Sequence, residues 1–224
     1  MSRSGPHRET TMNIGIIGSG AVAKSLGEGF LKHGHNVMLG SRDTSKLSDW
    51  AFNNAGANVG SFSDAATFGD VVVLAVKGTA ALEAAGEAGA DALDGKTVID
   101  TTNPIAAGPP VNGVLKYFTS LDDSLMERLQ ARYPSAHFVK CFSSVGNTKM
   151  VNPKFADGKP TMFICGNDDD SKKTVTRILD QFGWDTLDCG KAEAARAIEP
   201  LAMLWCIPGF LYNEWGHAFK VLHA

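Results

Sequence analysis

Apolar residues follow two alternating rhythms along this chain. Short continuous apolar runs alternate with segments whose apolar positions recur every three to four residues. Residues 13–17 (NIGII) read as a buried strand. Residues 21–33 read as a helix with Val22, Leu26, Phe30 and Leu31 on one side, ended by Gly34. Strand patterns return at 36–39 (NVML) and 58–61, with a helical pattern over 46–55 between them. The run 70–76 (DVVVLAV) is the strongest strand, β-branched and apolar throughout, as a parallel strand buried on both faces should be. Beyond it the pattern predicts a helix over 79–93, a strand over 96–100, a Gly/Pro-rich loop over 105–119 and a helix over 121–133. Strands over 136–142, 161–165 and 184–187 follow, with a helix over 168–182. From Lys191 the chain reads as helical, interrupted or kinked at Pro200 and Pro208.

Strands alternating with helices predict an α/β fold: a Rossmann-type, doubly wound and mainly parallel sheet with a small C-terminal helical part. Right-handed crossovers would bring the carboxyl ends of the strands to one edge. The expected organisation is a polar leader over 1–11, with Met12 as a plausible start, a dinucleotide-binding domain over 12–190 and a helical segment over 191–224. That last segment is too short to form its own core. It is expected to pack on the main domain, to form a dimer interface, to border a substrate pocket, or to combine these.

The motif Gly18-Ser19-Gly20-Ala21-Val22-Ala23 is G-x-G-x-x-A, placed between a strand and a helix. Gly18 permits a tight turn, Gly20 lets a pyrophosphate approach the backbone, and small Ala23 allows close helix–strand packing. The free amides of Ser19 to Val22 and the helix dipole would hold the anion. The second strand ends in Gly40-Ser41-Arg42 rather than in a carboxylate. Ser41, Arg42 and Lys46 fit a 2′-phosphate and hence NADP; Asp43 is the contrary signal unless it caps the next helix. Ala75, Val76 and Lys77 end the fourth strand, Asp100-Thr101-Thr102-Asn103-Pro104 the fifth, and Ser143-Ser144 the sixth. Asn103 and Ser144 could meet the nicotinamide end, or simply form turns. Lys77 could touch ligand or remain solvated. His33 and His35 suit a helix end, His137 suits a structural role within a strand, and His217 joins Trp205, Phe210, Tyr212 and Trp215 on the last helix. No acid–base arrangement is evident, and catalytic residues are not assigned.

Composition narrows the alternatives. The 224 residues are 44% hydrophobic and 20% charged, with 21 basic against 24 acidic side chains and a net charge of −3. That suits an ordinary folded domain and speaks against nucleic-acid binding. No run of about 18 apolar residues occurs, so no transmembrane helix is expected. No signal-peptide pattern is seen, which suggests the cytoplasm. Cys141, Cys165, Cys189 and Cys206 show no metal-ligand spacing and are expected to be free buried thiols; no metal site is expected.

The G-x-G-x-x-A motif, Gly40-Ser41-Arg42 with Lys46, Asp-x-Thr-Asn-Pro at 100–104 and the segment 165–173 (CGNDDDSKK) together resemble the NADPH-dependent reductases of coenzyme F420. The resemblance spans about residues 12–222 in motif order, and its first half is shared with the cytosolic domains of membrane ferric reductases. It implies hydride transfer between NADP(H) and a deazaflavin or flavin-like acceptor, and a homodimer. By the same resemblance Ser19, Gly20, Ala21 and Val22 would meet the pyrophosphate, and Ser41, Arg42 and Lys46 the 2′-phosphate. Departures occur at the loop 105–119 and at Ser143-Ser144, where many relatives carry Asn-Thr or His-Thr. An imine or carbonyl reductase and a non-catalytic NADP-sensing domain are the alternative readings.

Overall fold

The computed structural model describes residues 10–222. Of the expected leader, only Thr10 and Thr11 fall among the described residues; Thr11 is exposed beside the sheet. Eight strands form one sheet in the order β3-β2-β1-β4-β5-β6-β7-β8. They are β1 (Asn13–Ile17), β2 (Asn36–Gly40), β3 (Ala57–Gly60), β4 (Val71–Leu74), β5 (Thr97–Asp100), β6 (His137–Lys140), β7 (Thr161–Gly166) and β8 (Asp185–Asp188). The first six run parallel. β7 is antiparallel to β6, pairing Lys140 with Cys165, and β8 is parallel to β7. The expected common edge of carboxyl ends therefore holds for six strands and is reversed for the last two. Both orientations give the same side-chain alternation, so the periodicity could not tell them apart.

Alternation along the strands sends side chains into two apolar layers. Ile14, Ile16, Val71 and Val73 face one layer with Leu26, Phe30, Trp50, Phe182 and Trp184. Ile17, Val72, Leu74 and Val98 face the other with Leu93, Leu129, Phe138 and Ile198. Helices cover both faces, which is why the strands are continuously apolar.

Several helices differ from the sequence pattern. The expected helix over 46–55 is a 3₁₀ turn at Thr44–Leu47 followed by α2 (Ser48–Asn53), and Asp43 caps the turn through Ser45 N. A helix that was not expected, α3 (Phe62–Phe68), starts from a capping box between Ser61 and Asp64. It packs hard on β1: a Cβ on Gly15 would lie 1.9 Å from the Ala65 carbonyl oxygen. The helix over 79–93 is divided into α4 (Ala81–Ala88) and α5 (Ala90–Leu93) by Gly89, whose φ is +94°. The next helix, α6 (Leu125–Arg132), begins later than the pattern suggested, after Ser124 accepts from Glu127 N. Helices α1 (Ala21–Lys32) and α7 (Asp169–Gln181) lie close to their expected places.

The C-terminal helix α8 (Ala195–Tyr212) runs through both Pro200 and Pro208 without a break. By length and composition the helical stretch Ala192–Tyr212 is apolar enough to cross a membrane, although counting apolar runs did not predict such a segment. One side, with Ile198, Glu199, Ala202 and Trp205, is buried against the sheet domain. Leu204, Phe210, Leu211 and Tyr212 are exposed. Asn213 turns left-handed and ends the helix. Trp215 and His217 therefore do not lie on it, as the sequence suggested. The chain folds back, His217 stacks on Trp205 at 5.2 Å, and Trp205 Nε1 donates to the His217 carbonyl. Thr161 N then donates to the Phe219 carbonyl, fixing the returning segment to β7.

Candidate active site

The sheet order reverses between β1 and β4, and a crevice opens there at the carboxyl ends of the strands. This switch point is where doubly wound sheets bind ligands. The crevice has two halves that share Gly20, Val76 and Lys77.

The first half, about 250 Å³, is lined by Gly18, Ser19, Gly20, Ser41, Arg42, Lys46 and Lys77. A Cβ on Gly18 would lie 2.2 Å from the Ala75 carbonyl oxygen, and its φ is +145°. Only glycine fits that close approach of the turn after β1 to the residue following β4. A Cβ on Gly20, in contrast, would meet no atom within 4 Å. Gly20 N-caps α1, which has neither a side-chain cap nor an acidic residue in its first turn. Its first amides thus face open space with the positive end of the dipole, a cradle suited to a pyrophosphate. Arg42 and Lys46 are exposed cations. Arg42 lies 3.8 Å from Glu83 and 3.9 Å from Glu87, both on α4 and both lining the same half. Sequence reasoning did not foresee these carboxylates, which only the packing of α4 brings to the basic loop.

The second half, about 640 Å³ and mostly apolar, is lined by Ala21, Val22, Ala75, Thr101, Thr102, Asn103 and Ile105. Its polar wall is already engaged. Thr101 Oγ1 donates to the Leu74 carbonyl, and Thr102 donates from both N and Oγ1 to Asp100 Oδ1. Asn103 Nδ2 donates to the Ser143 carbonyl, while Asn103 Oδ1 is buried without a partner among the described residues. A buried acceptor left open beside a cleft is suited to a ligand donor such as a carboxamide or ribose hydroxyl. The donor-rich first half and this second half together fit a dinucleotide extended along the edge.

Twelve of the thirteen residues expected at the cofactor line this crevice. Ser144 does not: it is buried after β6 and borders neither half. His33 and His35 have structural roles. His35 is buried, accepts from Met12 N and pairs with Gln181, and His33 forms the end of α1. All four cysteines are free, but Cys189 is exposed and Cys206 only partly covered, so the expectation of buried thiols holds for Cys141 and Cys165 alone. Burial is the main force raising those two thiols, Cys165 to about 12, so neither is a ready nucleophile.

Sequence reasoning also missed a buried ionic cluster behind the crevice wall. Lys140, at the end of β6, is wholly buried: its ammonium donates to the Thr102 carbonyl (2.8 Å) and lies at ion-pair distance from Asp100 Oδ2 (2.6 Å) and Glu199 Oε1 (2.9 Å). Glu199, from α8, also accepts from the backbone amides of Leu125 and Met126 at the start of α6. Burial opposes the ammonium, but the two carboxylates outweigh it and Lys140's pKa is raised. The signals were an Asp and a Lys at neighbouring strand ends and a Glu within an apolar helix; nothing local linked them.

The fold is Rossmann-like, and the chain is similar to NADP-dependent oxidoreductases. Residues 13–104 match the family described as NADP oxidoreductase coenzyme F420-dependent, which bears out the resemblance read from the motifs. A solved structure titled as a candidate F420-dependent NADP-reductase from Arthrobacter superposes with a TM-score of 0.89 at 28% identity, covering 95% of this chain and all of the other. Rat metalloreductase STEAP3 is 28% identical over 208 residues, covering 88% of this chain, and this chain spans 38% of its length. A reductive aminase from Aspergillus terreus shares the fold, with a TM-score of 0.66 at 17% identity over 91% of this chain and 64% of the aminase.

Proposed function

We propose that this chain binds NADP(H) along the crevice and exchanges a hydride with a deazaflavin such as coenzyme F420, or with a flavin-like acceptor. In this reading Ser41, Arg42 and Lys46 take the 2′-phosphate, Gly18 and the amides of Ser19 to Val22 the pyrophosphate, and Ala75, Val76, Lys77 and Asn103 border the nicotinamide half. The observation that carries it is the crevice itself: cations and free helix amides at one end, an apolar chamber with one open buried acceptor at the other. Bound NADPH supplies the hydride. The protein's part is to orient two flat rings in the apolar half and keep water out, which needs positioning rather than a proton donor. Lys77 is the one ionisable side chain among the described residues lining that half.

The similarity to proteins named metalloreductases favours a second reading, in which an ordinary flavin accepts the hydride and a metal ion is the final electron acceptor. The exposed apolar side of α8 fits a homodimer interface, which light scattering of the purified protein would test. The activity test is NADPH oxidation against coenzyme F420, FMN, FAD and a blank, with NADH beside each. Selective reduction of the deazaflavin by NADPH is the expected result. Oxidation with ordinary flavins, extended by ferric chelate, would replace it with the second reading. Binding of NADPH without turnover of any of these acceptors would refute both acceptor assignments.

A further inference from the structure

Glu199 joins two paths that run from the C-terminal helix to the apolar half of the crevice. Its carboxylate reaches Lys140, whose Nζ holds the Thr102 carbonyl and Asp100; Asp100 in turn fixes the Thr102 amide and hydroxyl. Its backbone carbonyl accepts from Tyr117 Oη at 2.8 Å. Tyr117 bridges to Ile105, which lines the same half. Thr102 and Ile105 flank Asn103, the residue with the open buried acceptor. No bond of this network reaches the phosphate-binding half.

We propose that Glu199 and Lys140 are positioning residues that transmit the seat of α8 to the Thr101–Ile105 wall, and so set the nicotinamide half of the site independently of the adenosine half. The inference rests on the proposed placement of NADP(H). Its physical basis is that a buried ammonium held between two carboxylates and a carbonyl has one low-energy arrangement, whereas removing a partner leaves charges that force its neighbours to move. A displacement of about 1 Å in a wall that orients a reacting ring is enough to degrade binding and rate there.

The test compares two ligands in the full chain. NADP⁺ occupies both halves; 2′,5′-ADP carries the adenosine and the 2′-phosphate but no nicotinamide. Glu199→Gln keeps the side-chain shape and an oxygen acceptor for the α6 amides; Lys140→Met is the stronger perturbation, and both are titrated at a temperature where circular dichroism shows them folded. The expected result is NADP⁺ affinity reduced about tenfold or more in Lys140→Met and in the same sense in Glu199→Gln, with 2′,5′-ADP affinity changed by less than about twofold. A merely structural role would lower the folded fraction and weaken both ligands together. Equal losses for the two ligands, or no loss for NADP⁺ in either variant, would overturn the inference. A wild-type protein that binds 2′,5′-ADP no better than 5′-AMP would instead refute the NADP placement, and the inference would fall with it.

Discussion

Replacing Lys140 by Met should be the most destabilising conservative-volume change in the described protein, and its cost can be worked from the geometry. The side chain is wholly buried and makes three polar contacts; its partners Asp100 and Glu199 are 0% and 1% exposed. Without the ammonium, two carboxylates share a site closed to water. Breaking a buried pair in this way costs about 3–5 kcal/mol. At roughly 2–4 °C per kcal/mol for a domain of this size, the melting temperature should fall by about 6–20 °C. The pH dependence has a definite sign. In the wild type, Lys140's raised pKa means its contribution is complete below the ordinary value of 10.5 and fades only as pH climbs through the higher folded value. Adding Glu199→Gln to Lys140→Met removes one uncompensated charge and should recover stability, even though the same change alone costs it. Thermal melts of the wild type and the single and double variants, monitored by circular dichroism, provide the assay. A drop under about 2 °C, or additive losses in the double variant, would refute the argument that the Lys140 ammonium holds the two carboxylates as one coupled unit.

Other expectations concern the crevice and the sheet. Arg42→Gln removes an exposed cation from the proposed 2′-phosphate site and leaves Glu83 and Glu87 unopposed, so the NADPH-to-NADH affinity ratio should fall roughly 5- to 30-fold, about 1–2 kcal/mol, by fluorescence titration. An equal loss for both cofactors would show that Arg42 does not read the 2′-phosphate. Gly20→Asp puts a carboxylate where a Cβ meets nothing, so melting temperature should hold while binding of both cofactors is abolished. Gly15→Val drives side-chain atoms into the Ala65 carbonyl and should prevent folding, seen as insoluble expression or a lost cooperative melt.

How far local pattern reaches is clear from particular elements. Apolar β-branched runs located β4 and β5, and G-x-G-x-x-A located the turn into α1, because buried parallel strands and phosphate turns each impose a local composition. The helix α3 carried a readable signal in Ser61 and Asp64, but its seven residues are too few for a helical period to stand out. The reversal of β7 was not readable, since a strand alternates alike in either direction. Pro200 and Pro208 suggested interruptions, yet packing of α8 on the sheet domain overrides the missing amides.

By itself, then, the sequence determined the alternating α/β plan, the glycine turn and the basic loop after β2, all properties of residues adjacent along the chain. Tertiary structure alone decided that Glu83 and Glu87 would face Arg42, that Ser144 would lie away from the crevice, and that Asp100, Lys140 and Glu199 would meet. Those outcomes depend on how separate elements pack, and a buried charge acquires its partners only when strands and helices distant in sequence close around it.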